Sequence, residues 1–496
     1  MTSPRSRAHR VRLYLLCCSF TLVASAFPRS AAAEKILAKG DDWQVYTDGR
    51  VGAFLSWVYG QGFPQNSYAY VQDPNNPGSY NQVTIHDVKG GGFSAFNAQG
   101  LVTGPGIPTG QTQYDAGTIN SMRVRSGFVA NVFGLGVRGQ VTPYTTVTGY
   151  IQIWAYVESE GRQKNLRNYA DARQGYAKLE GWWGSFLAGR TRALFSRGAT
   201  DIDTLYAHRW GLGWPGSSAI DTNGPALGQI GFGVMGSGFA SGFIYGTPVL
   251  GTPRLGVLQL NIGAFDPIEI QNNGWTRTKY LRPEAELTYE RKLGEIGKIV
   301  LFGNGLYQKV YKSGYCAPPT PDNPLPCEET AYGVGYGGRL ELGRVHLGAA
   351  AHYGKGLGLN YALEASDAST DIDGNLRKND GYYIQSQVVL GKFDLFAGWG
   401  IDRVFLTTVD NQKVLNPTRP PADPNWTKEQ LQAEIDQYGV IPHSIIKYQM
   451  GINAGVVYNV TPFVHFDLDY FRAKAAWFLG ESQVVNVLNG GLTFNW

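Results

Sequence analysis

The sequence predicts an all-β fold, a transmembrane antiparallel β-barrel of about sixteen strands with short turns at one rim and long loops at the other. Three observations predict it. In the last stretch, Val484 to Trp496, one set of alternate positions carries Leu488, Leu492, Phe494 and Trp496, and the other carries Asn489, Gly491, Thr493 and Asn495. That is a strand with one apolar and one wet face. An apolar strand at a free terminus invites aggregation unless both its edges are paired, as they are in a closed barrel. The second observation is composition: glycine is 65 of 496 residues, aromatics reach 13% and charged residues only 17%, against a usual ~25%. Past the N-terminal segment there is no apolar run of the ~18 residues a membrane helix needs, whereas a barrel alternates lipid-facing and lumen-facing residues and needs none. The third is rhythm: alternating segments of about ten residues, joined in turn by a short turn and a longer polar loop.

The chain opens with Arg5, Arg7, Arg10 and Arg12, an apolar core from Val11 to Phe27, and Ala31-Ala32-Ala33 before Glu34. This reads as a signal peptide over 1–33 with the barrel at 34–496, and a cut after Ala26 is the alternative. Cys17 follows Leu16 and not a small residue, so a lipoprotein site is not expected. Removing 1–33 takes away five of the 43 basic residues and none of the 39 acidic ones, leaving 38 against 39. A charge near zero argues against a nucleic-acid partner. Cys316 and Cys327 flank CAPPTPDNPLPC, and in an exported chain they are expected to form a disulfide stapling a loop.

The first strand, Trp43 to Tyr59, sets Val51, Ala53, Leu55 and Trp57 against Asp48, Arg50, Gly52 and Ser56. A Gly/Pro/Asn-rich loop, about Gly60 to Asn120, follows, and two further strands could lie within it. In MRVRSGFVANVFGLGVRGQV, Arg123 and Arg125 share a face, but the alternation slips near Phe133 to Leu135, so Arg138 faces inward only across a bulge or bend. After Thr142 to Thr145, VTGYIQIWAYVE puts Val147, Ile151 and Ile153 outside and Gln152 inside. The hairpin ARQGYAKLEG with GSFLAGR leads to a long loop, Thr191 to about Gly228, and then to a strand near Ile230 to Tyr245. Leu255 to Phe265, PEAELTYERKL with KIVLFGNGLYQKV, YGVGYGGRLEL with VHLGAAAHYGKG, YYIQSQVVLG with DLFAGWGIDRVFL, and YQMGINAGVVYNV with VHFDLDYFRAKAAWF complete the wall. Glu284, Glu286 and Glu290 share one face. A polar loop is expected from about Leu359 to Asp380, and a short helix, capped by Thr427, inside the loop from Thr407 to about Ser444. The count is sixteen strands, seven short turns and eight longer loops. Aromatics near strand ends, Trp57, Tyr448, Tyr458, Phe466, Tyr470, Trp477 and Trp496, fit interfacial girdles.

The chain resembles the trimeric general porins of Gram-negative bacteria over nearly all of 34–496. The segments carrying the resemblance are DGRVGAFLSW, NVFGLGVRGQ, RQGYAKLEGWWGSFLAGR and the terminal LTFNW. Lys178 stands where a glycine is usual, and Trp496 where Phe is commonest. The resemblance implies a homotrimer in the outer membrane, in contact with the lipid bilayer and lipopolysaccharide, that passes small hydrophilic solutes and ions by passive diffusion. It also implies that Phe494 and Trp496 are the signal read by the barrel-assembly machinery. The third loop, Thr191 to about Gly228, is expected to fold into the barrel and narrow the pore. Its acids are Asp201, Asp203 and, later, Asp221; Arg123, Arg125 and Arg173 are candidates for the facing wall, with Arg50 and Arg190 behind them. Pattern alone could place either Arg173 or Gln174 inward.

Acids and bases on opposite sides of a narrow channel create a transverse field that favours polar solutes. The same loop carries Tyr206, Arg209, Trp210 and Trp214. Its three rings could form a sliding surface for sugars, which would make a substrate-specific channel, or could pin the loop to the wall. An enzyme is the weaker reading. His465, Asp467 and Asp469 share a face and His346 and His352 another, but no nucleophile or metal-site signature accompanies them. A barrel adhesin is a further alternative. No cofactor is implied; Asp367, Asp371 and Asp373 are acidic but lack the spacing of a calcium loop.

Overall fold

A two-residue period becomes a wall when every strand has a partner on both sides. The computed structural model describes residues 34–61, 68–72, 80–84, 119–125, 131–155, 170–203, 229–252, 254–268, 275–277, 279–312, 328–363, 368–371, 375–413, 446–478 and 482–496. Two strands open it, β1 (Lys35–Lys39) and β2 (Trp43–Gly60). The small hairpin of β3 (Tyr68–Gln72) and β4 (Tyr80–Thr84) forms a sheet of its own, so among the described residues the first long loop adds no strand to the barrel. Then come β5 (Ile119–Arg125), β6 (Asn131–Thr142), β7 (Thr145–Ala155), β8 (Ala170–Gly181), β9 (Gly184–Arg192) and β10 (Phe239–Gly246). The chain continues through β11 (Leu250–Thr252), β12 (Gly256–Phe265), β13 (Trp275–Arg277), β14 (Arg282–Lys292), β15 (Gly297–Lys312), β16 (Glu328–Leu342) and β17 (Val345–Lys355). It ends with β18 (Lys378–Leu390), β19 (Phe393–Phe405), β20 (Ile446–Asn459), β21 (Val464–Trp477) and β22 (Ser482–Asn495).

The wall has sixteen antiparallel lines: β2, the β5–β6 line, β7 to β10, β12, and β14 to β22. It closes where β2 pairs with β22, from Arg50 against Asn495 to Gly60 against Val485. The expected strand number and closure are borne out. The strand expected near Ile230 to Tyr245 is corrected: it begins at Phe239, and the residues before it belong to a loop. The slip expected near Phe133 falls just before Asn131. Arg125 pairs with Phe54 and Val132 with Arg50, so seven steps on one line face four on the other.

Alternation then sorts the side chains. Outward positions are apolar and exposed: Val51, Leu55 and Trp57 on β2, Phe133, Leu135 and Val137 on β6, Phe466 and Leu468 on β21, Leu488, Leu492 and Phe494 on β22. Their inward neighbours Phe54, Ser56, Asn489 and Thr493 are each at most 1% exposed. A continuous outer belt of this kind has only one stable solvent, the hydrocarbon of a bilayer. No described helix is long and apolar enough to cross a membrane.

At the seam, Gly49 N donates to Trp496 O and Trp496 N to Gly49 O, at 2.9 and 3.0 Å. β1 pairs with the part of β2 beyond that point, from Lys35 against Thr47 to Lys39 against Gln44. A Cβ on Gly49 would lie 2.2 Å from the Trp496 indole. Gly49→Val is therefore expected to displace Trp496 and lower the yield of folded barrel severalfold, read by heat-modifiable gel mobility; an unchanged yield would show that the seam tolerates the intrusion.

Candidate functional site

The lumen is crossed by the loop between β9 and β10, and acids on the inner wall hold it there. Glu284 and Glu286 face inward because Leu287 of the opposite set faces out. Glu284 accepts from the backbone N–H of Leu194 (2.7 Å) and of Phe195 (2.8 Å), and from Arg282 Nε (2.7 Å). These bonds turn the chain off β9 into the lumen, where α1 (Arg197–Ile202) follows. Arg197 pairs with Glu286, and Gly198 lies against Phe302 of β15, where a Cβ would come within 2.4 Å of its ring. Tyr383 Oη donates to the Ala199 carbonyl at 3.0 Å. Asp203, 4% exposed, accepts from Gln385 Nε2 at 2.6 Å and from Gln229 N at 2.8 Å.

The return limb, Gln229 to Ser237, crosses to the other side. Gly233 N donates to Asp402 Oδ2 at 2.8 Å, and Gln449 Nε2 to the Gly231 carbonyl at 2.8 Å. Gly233 has φ +105 and stands where a Cβ would be 2.3 Å from the Tyr382 carbonyl oxygen, so only glycine fits. Phe232 meets Phe471 edge-on at 4.8 Å in a cluster with Val58, Val485 and Val487. Ile230 and Val234 pack with Ala199, Phe302 and Tyr383. The described parts of the loop are thus fixed by carboxylate-to-backbone bonds at the root and on the return limb, and by apolar anchors on two walls.

A second inward loop, which the sequence presented as polar, runs from Gly356 to Arg377. Leu357, Leu363 and Leu376 pack with Phe195, Met235, Leu306 and Val310. Gly236 N donates to the Asn360 carbonyl at 2.7 Å, joining the two loops. Arg377 makes two bonds to Asp410 of α2 (Thr408–Lys413), at 2.9 and 2.6 Å, with both side chains at most 1% exposed. Asp371 accepts from Thr407 Oγ1 at 2.6 Å and from Asn375 at 2.8 Å, so this acid is engaged by its own loops. The missed signal was the leucines at 357, 359, 363 and 376 inside an otherwise polar stretch.

The wall of β6 to β9 is less covered and carries a polar ladder. Tyr150 Oη donates to Asp48 (2.8 Å), Gln152 to Tyr150 Oη (3.1 Å), Gln174 to Gln152 (3.0 Å) and Thr191 to Gln174 (3.0 Å). Its charges come in pairs: Arg138 with Glu34 at 3.0 Å, Arg173 with Asp171 at 2.8 Å, and Lys178 with Glu180 at 2.6 Å.

Arg50 is inward and 7% exposed, with its guanidinium 5.9 Å from the Phe54 ring centre. Arg123 and Arg125 pair in register with Ser56 and Phe54, both on the lumen set. A bulge answers the question of Arg173 or Gln174: Gln152 faces Gln174 and Ile153 faces Ala172, leaving Arg173 between them. Gln174 bonds on the lumen side, and the Arg173 guanidinium lies 4.9 Å from the inward Trp154 ring. Arg190 is corrected. It is exposed and pairs with Ser241 and Gly175, on the same set as the outward Phe186 and Phe243, so it is not a lumen residue. Asp201 is bound by Arg192 at 2.6 Å. Tyr206, Arg209, Trp210, Trp214, Asp221, Cys316, Cys327, the helix capped by Thr427 and the segment 1–33 lie outside the described residues. The histidines do not converge: His346 contacts Gln387, His465 contacts Asn459, and His352 sits 3.4 Å from Asp402. Phe494 faces outward, stacked on Trp496 at 5.8 Å between centroids.

An apolar outer belt, a closed sixteen-strand wall and a polar lumen crossed by a fixed loop define the class: an outer-membrane β-barrel with the porin fold. The outer membrane channel DcaP of Acinetobacter baumannii has this fold, with a TM-score of 0.54, 13% identity, and coverage of 93% of this chain and all of that one. An anion-selective porin from Comamonas acidovorans is similar at TM-score 0.49 and 12% identity, covering 92% of this chain and all of that one. Pseudomonas putida OprB gives 0.47 and 10%, covering 91% and 94%. No protein-family model matches the sequence, and no curated protein matches it.

Proposed function

We propose that this protein is a porin, through which small hydrophilic solutes and ions diffuse passively, and that the loop Ala193 to Gly238 sets the cross-section of the path. The observation that carries this is the anchoring of that loop to the inner wall from Glu284 to Asp402, which is of use only if its position in the lumen matters. The free path runs along the half-exposed wall of β6 to β9. Conductance of the purified protein in a planar bilayer tests it: stable ohmic steps, in threes if it is the homotrimer its resemblance implies, are expected, and no conductance from well-folded protein would overturn it.

A substrate-specific channel is the second reading. The second inward loop favours it, because two fixed loops leave less room than one. Concentration-dependent block of the steps by oligosaccharides would establish it.

A further inference from the structure

A permeating ion responds to a wall charge according to its distance and to what stands beside it. The sequence leads to acids on the third loop facing bases across the lumen, but in the structure the described acids of that loop are engaged by near neighbours. Asp201 is held by Arg192 at 2.6 Å, and Asp203 by Gln385 and the Gln229 amide. At the root of the loop, Arg197 is taken by Glu286 and Arg282 by Glu284 at 2.7 Å.

The wall repeats the arrangement. Beside the free path, Arg138 pairs with Glu34 at 3.0 Å, Arg173 with Asp171 at 2.8 Å and Lys178 with Glu180 at 2.6 Å. Farther round, Lys298 pairs with Glu290 at 3.0 Å and Arg339 with Glu341 at 2.5 Å. Lys178 with Glu180, Arg282 with Glu284 and Arg339 with Glu341 each stand two residues apart on one strand, the spacing that puts both signs on one face. Asp48 and Arg50 have the same spacing on β2. Register extends the balance to Arg123 and Arg125. Arg123 shares a row with Ser56, Asn489 and Asp469, and Arg125 shares the next with Phe54, Gly491 and Asp467. Two bases and two acids thus stand at the same two levels of the barrel.

Pairing changes what the wall attracts. A lone charge acts on one sign of ion from about a Debye length away, ~8 Å at physiological salt. Two opposite charges ~3 Å apart largely cancel at that range, because their distances to the ion are nearly equal. An ion that approaches closer gains from one member of the pair and loses to the other. A solute that carries both signs, or only hydroxyls and amides, can turn to suit each pair. Between Arg173 and Lys178 it also meets the hydrogen-bonding ladder of Tyr150, Gln152, Gln174 and Thr191.

We propose that the path discriminates little between small cations and small anions, and that its preferred solutes are net-neutral dipolar molecules, zwitterions of the amino-acid type being the clearest case. The inference rests on the porin reading and names the solute class for it.

The test is the reversal potential of the purified full-length protein in a planar bilayer under a steep KCl gradient, joined to liposome swelling in serine and in potassium lactate of matched osmolarity. A potassium-to-chloride permeability ratio within about twofold of unity is expected, with faster swelling in serine than in lactate. Glu180→Gln and Asp171→Asn uncover Lys178 and Arg173 at partly exposed positions, and each is expected to move the ratio about threefold toward chloride. Lys178→Gln should move it toward potassium by a similar factor. A parent ratio beyond about fivefold in either direction, or faster swelling in lactate, would overturn the proposal. So would variants with the parent's reversal potential, since the pairs would then lie off the path. Well-folded protein that does not conduct would overturn the porin reading and this one with it, whereas conduction with marked ion selectivity overturns this one alone.

Discussion

If the loop sets the cross-section of the path as proposed, Glu284→Ala is expected to release it at its root and to raise single-channel conductance about twofold or more, with increased noise. The carboxylate is the acceptor for two backbone N–H groups and for the Arg282 guanidinium, all in a region at most 3% exposed. Its removal leaves a buried cation unpaired, about 3–5 kcal/mol, and two buried amides unsatisfied at about 1–3 kcal/mol each. The wall strands keep their ladders, so heat-modifiable mobility is expected to survive while the loop does not. Glu284→Gln keeps one acceptor oxygen and should fall between. Conductance in Glu284→Ala equal to the parent's would show that the apolar anchors at Phe232 and Met235 hold the loop without it.

The second large effect is expected at Arg377. Arg377→Ala leaves Asp410 at 0% exposure with no counter-charge and removes a donor to the Thr370 carbonyl. The cost, about 3–5 kcal/mol, falls on the contact between the loop from Gly356 and α2 rather than on the barrel. Limited proteolysis of the membrane-embedded protein should show new cleavage in these two loops, and recordings should show frequent closures. Arg377→Met/Asp410→Leu replaces the pair by apolar side chains and is expected to restore protection. Continued sensitivity in that double variant would mean that the direction of the ion-pair bonds, and not only its neutrality, locks the loops.

The wall was legible because its rule is local. In Val51-Gly52-Ala53-Phe54-Leu55-Ser56 each residue announces its own side, and register to a neighbour adds nothing to that announcement. Arg190 shows where locality misleads: a charged residue near a strand end reads as inward, but at the level where strands leave hydrocarbon the outward set is free to be charged too. The lumen was less legible because its contacts join residues far apart. Nothing near Leu194 indicates that Glu284 will receive its N–H, and nothing near Leu357 that Phe195 and Met235 wait across the barrel. The segment Ile230 to Gly236 alternates like a strand while serving as the buried limb of a loop, since the demand for apolar anchors there imitates the demand of a wall. Arg173 and Gln174 were ambiguous for a third reason, because a bulge presents two consecutive residues to one side, which no period of two can express.

The seam joins the two ends of the barrel. Each other line of the wall pairs with the line next to it in chain order, across a short turn or one loop, whereas Arg50 finds Asn495 only across almost the whole barrel-forming chain. A loop of that length carries the largest closure entropy of any strand pairing in the wall. A sheet that keeps every hairpin but lacks the β2–β22 pairing stays open, with two strand edges left unpaired.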